Sequence, residues 1–83
     1  MKVLYFARVR QIAGRNEEQL ELPASVKTVS ELIDFLSARD ERVANALSDR
    51  RTLRAAVDKK HVKLDAALGN STEVAFFPPV TGG

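Results

Sequence analysis

Apolar and polar residues alternate from Lys2 to Val9, with Val3, Tyr5, Ala7 and Val9 on one side and Leu4, Phe6, Arg8 and Arg10 on the other. A period of two predicts a first strand. Ala13-Gly14-Arg15-Asn16 supplies turn residues, and Gln19 to Leu22 reads as a second strand stopped by Pro23. A short turn between two strands predicts an antiparallel hairpin. Thr28-Val29-Ser30-Glu31 then matches a capping box, in which Thr28 caps the N3 amide and Glu31 reaches back. Behind it Val29, Leu32, Ile33 and Leu36 fall at i, i+3, i+4 and i+7, the stripe of an amphipathic helix ending near Arg39, with Phe35 beside it. A short helix from Glu41 to Leu47 follows, capped by Asp40 and burying Val43 and Leu47. Leu53–Val57, His61–Leu64 and Glu73–Phe77 read as three more strands, separated by turns at Asp58-Lys59-Lys60 and Gly69-Asn70-Ser71.

The order ββαβ(β)β predicts an α+β domain, a mixed sheet of four to five strands with one main helix packed on one face. The first and last strands are the most apolar, which places them side by side in the middle. Val3, Tyr5, Leu32, Ile33, Leu36, Val57, Val74 and Phe76 are the expected core. Phe6 and Phe77 each alternate with a core neighbour. They are expected on the face away from the helix, as one apolar patch with His61 at its side and Phe77 as a docking anchor.

Composition narrows the chemistry. The chain has 83 residues, 45% apolar and 29% charged, with a net charge of +2 and no cysteine. One small domain is the natural reading. Positive and negative residues are interspersed, which gives nucleic-acid binding little support. Without cysteine there is no disulfide, thiolate catalysis or sulfur-ligated metal, and the composition fits a reducing cytoplasm. No apolar run approaches a membrane span, and the N-terminal residues read as a strand instead of a signal peptide. His61 is the single histidine, so no serine has the partners of a triad. The carboxylates are scattered over helix ends and turns, four glycines cannot build a phosphate loop, and any nucleotide is expected on another protein.

What remains is the end of the sequence, Phe76-Phe77-Pro78-Pro79-Val80-Thr81-Gly82-Gly83. Residues 1–77 read as the domain and 78–83 as an extended tail. Two prolines lack backbone donors and hold φ near −65°, which favours an extended root over helix or sheet. Two terminal glycines leave the last acyl carbon unshielded. A carboxylate is a poor electrophile until it is converted to a mixed anhydride; an external nucleophile can then attack. From Pro78 to Gly83 such a tail reaches about 16–19 Å at ~3.1 Å per residue.

The closing residues from Glu73 to Gly83, the opening Lys2 to Arg10, the helix after Thr28 and the Leu53–Val57 strand together resemble the small subunit of molybdopterin synthase, the MoaD family. The resemblance spans the whole chain and implies a β-grasp, or ubiquitin-like, fold. It implies that an adenylating enzyme activates Gly83 with ATP and magnesium, that a sulfur-donating protein supplies sulfur, and that the resulting thiocarboxylate enters the large synthase subunit. There the sulfur passes to cyclic pyranopterin monophosphate to build the molybdopterin dithiolene, in a heterotetramer of two small and two large subunits. Gly82 and Gly83 are then the reacting end, Pro78, Pro79, Val80 and Thr81 the tail, and Phe6, Phe77, His61 and Arg10 the partner-binding residues. No metal or cofactor is expected on this chain. Where the family commonly has Gly-Asp before the last strand this chain has Ser71-Thr72, and where it tends to keep an apolar residue this chain has His61. Two other readings share these features: a sulfur carrier of the thiamin or tRNA-thiolation type, and a non-catalytic ubiquitin-like interaction module.

Overall fold

The computed structural model describes residues 1–79. Its elements run β1 (Lys2–Tyr5), α1 (Ala7–Ala13), β2 (Glu17–Gln19), α2 (Val29–Arg39), α3 (Glu41–Ala46), β3 (Arg54–Val57), β4 (Lys60–Val62) and β5 (Glu73–Phe77). The sheet order is β2-β1-β5-β3-β4. The β1–β5 pair is parallel, with Val3 opposite Val74 and Tyr5 opposite Phe76; the other pairs are antiparallel. The last strand is therefore central, with the first beside it, as the apolar content of both predicts.

The long helix forms where the capping box places it. Glu31 N–H donates to Thr28 Oγ1 at 3.1 Å, and Thr28 N–H donates to the Glu31 carboxylate at 3.0 Å. Asp40 ends α2 and caps α3, accepting from the amides of Arg42 and Val43. Val29, Leu32, Ile33 and Leu36 are buried against Val3, Tyr5, Val74 and Phe76. Val57 is only half-buried at the margin of this core.

The first strand is shorter than its alternation predicts. It stops at Tyr5, and Ala7 to Ala13 coil into a helix, so β1 and β2 pair antiparallel through a helical excursion instead of a short turn. The second strand is displaced to Glu17–Gln19, and the Gln19–Leu22 segment lies mostly beyond it. Val9 and Ala13 are buried at helical spacing i, i+4, while Ala7 is exposed. Gly14 closes the helix in the left-handed region, φ 76°, its N–H donating to the carbonyl of Arg10 at 2.9 Å. Glycine is the default residue for such a cap. Ala7 enters the helix at φ 53°, an uncommon conformation for a residue with a Cβ. Among the described residues α1 thus adds a third helix to the main helix and its short companion.

The β3–β4 hairpin turns on Asp58 and Lys59, both at positive φ. The Asp58 carboxylate accepts from the amides of Thr72 and Glu73 at 3.0 and 3.1 Å. That contact anchors the Ser71-Thr72 approach to β5, where the family commonly has Gly-Asp.

Candidate functional site at the tail-bearing end of the sheet

β5 delivers the tail. Along it Val74 and Phe76 face the core with no exposure, while Phe77 alternates to the opposite face and is half-buried. The chain then runs into Pro78 and Pro79, where no further ladder amide is available. Val80, Thr81, Gly82 and Gly83 lie outside the described residues. Because β1 and β5 are parallel, both finish at the same end of the sheet, and the amide of Phe6 donates to the carbonyl of Phe76 at 3.0 Å. Phe6 is 47% exposed, the one large apolar side chain in this state among the described residues.

β3 runs the other way, so its first residue, Arg54, is the register partner of Phe77. Two residues further in, on the same face, Leu4, Ala75, Ala56 and His61 lie abreast on β1, β5, β3 and β4. The His61 ring is 5.1 Å from that of Phe77, tilted by 53°. The structure therefore brings His61 to Phe77 and sets Phe6 at the end of the neighbouring strand. Arg10 is exposed on α1.

Pro78 and Pro79 are half-buried and form one wall of a groove of about 530 Å³. Arg8, Val9 and Ile12 of α1 line it, with Asp49 and Leu53 from the segment that follows α3. The root of the tail thus runs along a groove beside α1. The sequence reading singled out neither Arg8 nor Arg54. Extending the first strand to Val9 hid the groove wall; the Val9, Ile12, Ala13 spacing followed by Gly14 is the helical signal that reveals it.

A polar cluster ties the rim of the domain together. Tyr5 Oη donates to Glu18 at 2.7 Å. Glu18 also faces Arg15 and Arg39 at 3.3 and 3.6 Å, and Arg15 donates to Asp40 at 2.6 Å. Burial, reinforced by the hydrogen bond to the Glu18 carboxylate, pushes the Tyr5 hydroxyl well above the usual tyrosine range. The hydrogen bond from Arg15, with the amides of Val43 and Arg42, holds Asp40 below the usual carboxylate range. These groups join β1, β2, α2 and α3 and stand apart from the tail. Among the described residues no three His, Cys, Asp or Glu side chains gather as a metal site.

A five-stranded mixed sheet with its parallel first and last strands adjacent, and a capped helix packed across one face, defines a ubiquitin-like β-grasp domain. Residues 3–83 match the ThiS family. The chain is 45% identical to the molybdopterin synthase sulfur carrier subunit of Escherichia coli over 100% of its own length and 99% of that protein's. A putative molybdopterin converting factor, subunit 1, from Pyrococcus furiosus superposes with a TM-score of 0.71 at 35% identity, covering 95% of each chain. Small archaeal modifier protein 1 of Haloferax volcanii shares the fold at a TM-score of 0.71 and 22% identity, over 96% of this chain and 97% of its own. The chain belongs to the ThiS family and, within it, to the molybdopterin synthase small subunits.

Proposed function

We propose that this chain is the sulfur carrier of a molybdopterin synthase and that Gly83 carries the sulfur as a thiocarboxylate. The observation that carries the reading is the end-to-end 45% identity with the Escherichia coli sulfur carrier subunit. Two further features support it. The central strand leads directly into the Pro78-Pro79 root, and aromatic side chains with a half-open groove surround that root, as docking onto a second protein requires.

In this reading an adenylating partner binds ATP and magnesium, and a Gly83 carboxylate oxygen attacks the α-phosphorus, releasing pyrophosphate. A persulfide on a donor protein then displaces AMP from the acyl carbon, and a thiol cleaves the S–S bond of the resulting acyl disulfide, leaving the thiocarboxylate on Gly83 and a disulfide between that thiol and the donor. The large synthase subunit receives the tail, and the thiocarboxylate sulfur attacks cyclic pyranopterin monophosphate. Hydrolysis of the acyl bond restores the carboxylate. The chain itself contributes the rigid domain, the exit direction and the docking surface of Phe6, Phe77, His61 and Arg10. Its lack of cysteine leaves no internal thiol to intercept the acyl adenylate. A cytoplasmic setting suits this reduced sulfur chemistry.

Intact-mass measurement tests the reading. Incubation with the adenylating enzyme, ATP and a sulfur source should exchange one oxygen for sulfur, and the product should yield molybdopterin with the large subunit and the precursor. Removing Gly83, or adding a residue after it, should abolish the exchange and leave the fold intact. A chain that takes up sulfur but serves only thiamin or tRNA thiolation would move it to another branch of the family. A chain that takes up none would be a binding module.

A further inference from the structure

We propose that His61 is a positioning residue for docking: its neutral imidazole braces the ring of Phe77, and its protonation weakens the hold of the large synthase subunit on this face. This rests on the proposed function, because it assumes a partner that covers Phe77. It goes beyond that reading in making the docking surface dependent on a proton.

Three observations carry it. The first is the contact. His61 stands on β4 and Phe77 on β5, with β3 between them. The register partner of His61 on β3 is Ala56, which is buried and offers only a methyl group. Strands lie about 4.8 Å apart, so two long side chains on either side of an alanine can meet across it. They do: the rings are 5.1 Å apart and tilted by 53°. The second is exposure. His61 is exposed and Phe77 half-buried, so the pair is open to a covering surface, and Phe77 is the last residue of β5 before Pro78. The third is charge. Among the described residues His61 forms no ion pair. From β3, Arg54 lies two residues from Ala56, its guanidinium donating to the carbonyls of Arg51 and Leu53. Along its own strand His61 has Lys63 two residues on, Lys60 beside it on the alternate face and Lys59 in the turn. Asp58, also in the turn, accepts from the amides of Thr72 and Glu73. Glu73 lies at the other end of β5, four residues before Phe77.

These surroundings fix the sign. A covering partner takes water from the imidazole, which disfavours its charged form. No carboxylate of the described residues is paired with it to offset that cost, and the nearby cations act more strongly once water is excluded. The attraction of an imidazolium for the Phe77 ring is present before and after docking, so it does not set the difference. The complex therefore favours neutral His61. Affinity is constant above the ordinary histidine range, near pH 6.5, and falls as pH drops through it, where docking expels a proton.

Titration calorimetry of the full chain with the cognate large subunit between pH 5.5 and pH 7.5 tests this. Binding should be about tenfold weaker at the acid end, the factor for a group of ordinary histidine pKa held neutral in the complex. Near pH 6, buffers of different ionisation enthalpy should report proton release. His61→Phe keeps an aromatic brace without a titrating nitrogen, so it should bind like the wild type at pH 7.5 and lose the acid slope. His61→Ala should lose the slope as well and bind about two- to tenfold more weakly at pH 7.5, the worth of a ring pair. Both variants should melt near the parent, since His61 is exposed. In the free chain the NMR signals of the Phe77 ring should shift with the midpoint of the His61 titration. A Phe77 ring indifferent to that titration would overturn the brace without any partner present. Wild-type affinity that holds steady or rises in acid, an acid slope undiminished in His61→Phe, or wild-type affinity in His61→Ala would overturn the proposal and leave the carrier function standing. A wild-type chain that binds the large subunit at no pH would remove both readings together.

Discussion

Phe76 and Phe77 are neighbours on one strand, of one residue type, and they live in different environments. Phe76 has no exposure and lies 6.4 Å from Tyr5, ring to ring, in the helix-covered core. Phe77 faces the other way, against His61, on the side of the sheet that no helix among the described residues covers. The same contrast runs through the sheet. Val3, Tyr5, Ala55 and Val74 lie on the covered face; Leu4, Ala56, Ala75 and His61 lie on the open one. Ala56 and Ala75 are nearly buried without a covering layer, since longer neighbours screen their small side chains. One face holds the domain together, and the other is left partly apolar, with Phe77 half-buried beside His61.

Replacing the two phenylalanines separately is the sharpest way to break this contrast. Phe76→Ala should destabilise the domain by about 3–5 kcal/mol, the range for a fully buried aromatic, as read by chemical denaturation. A loss below about 0.5 kcal/mol would mean that the covered face is not the core. Phe77→Ala should weaken binding to the large subunit by about 2 kcal/mol in titration calorimetry, with the melting temperature little changed. A collapsed melting temperature with unchanged affinity would put Phe77 on the structural side of the comparison.

The covered side depends also on how α1 is closed. Gly14→Ala puts a Cβ on a residue at φ 76° and within 2.5 Å of the Arg42 guanidinium. Arg42 is long and can swing aside, so the backbone conformation dominates and the expected loss is about 1–2 kcal/mol by thermal unfolding. An unaltered melting temperature would show that α1 ends differently.

The smallest effect concerns the hydroxyl of Tyr5, which meets Glu18 at the margin of the covered face. Tyr5 is the only tyrosine in the chain, so the phenolate absorbance of the folded protein reports it alone. Its folded value is raised, so the neutral hydroxyl is the favoured form in the fold. This contribution is complete below the ordinary tyrosine value near 10 and is lost as pH rises above it, because the unfolded chain ionises first. Stability should therefore decline on the alkaline side, less steeply in Tyr5→Phe. Titration of the folded tyrosine near its ordinary value would contradict the Glu18 contact.

The long helix and the last strand were legible because local chemistry and tertiary demand agree there. Thr28 and Glu31 cap, Leu32, Ile33 and Leu36 repeat at helical spacing, and Pro78 ends the strand. The first helix was not, because Val3, Tyr5, Ala7 and Val9 satisfy the period of a strand while Val9, Ile12 and Ala13 satisfy that of a helix. Packing chose the helix beyond Tyr5. At the site, alternation alone placed Phe77 opposite Phe76 and beside His61. The Glu18 cluster escaped notice because its members are spread from Tyr5 to Asp40 and meet only in three dimensions. The groove under Pro78 and Pro79 escaped with the helix that walls it.

The central position of β5 has a consequence for the order of events at the ribosome. β1 is made first but has only β2 to pair with until Glu73–Phe77 arrives, and β3 likewise has only β4. A sheet built around its final strand has its decisive contacts between the two ends of the chain, and such distant pairings form late. The nascent domain cannot close while Phe77 is still inside the exit tunnel. A polypeptide interrupted anywhere upstream lacks its keystone strand and remains exposed to proteolysis, so folding itself selects for molecules complete through Phe77.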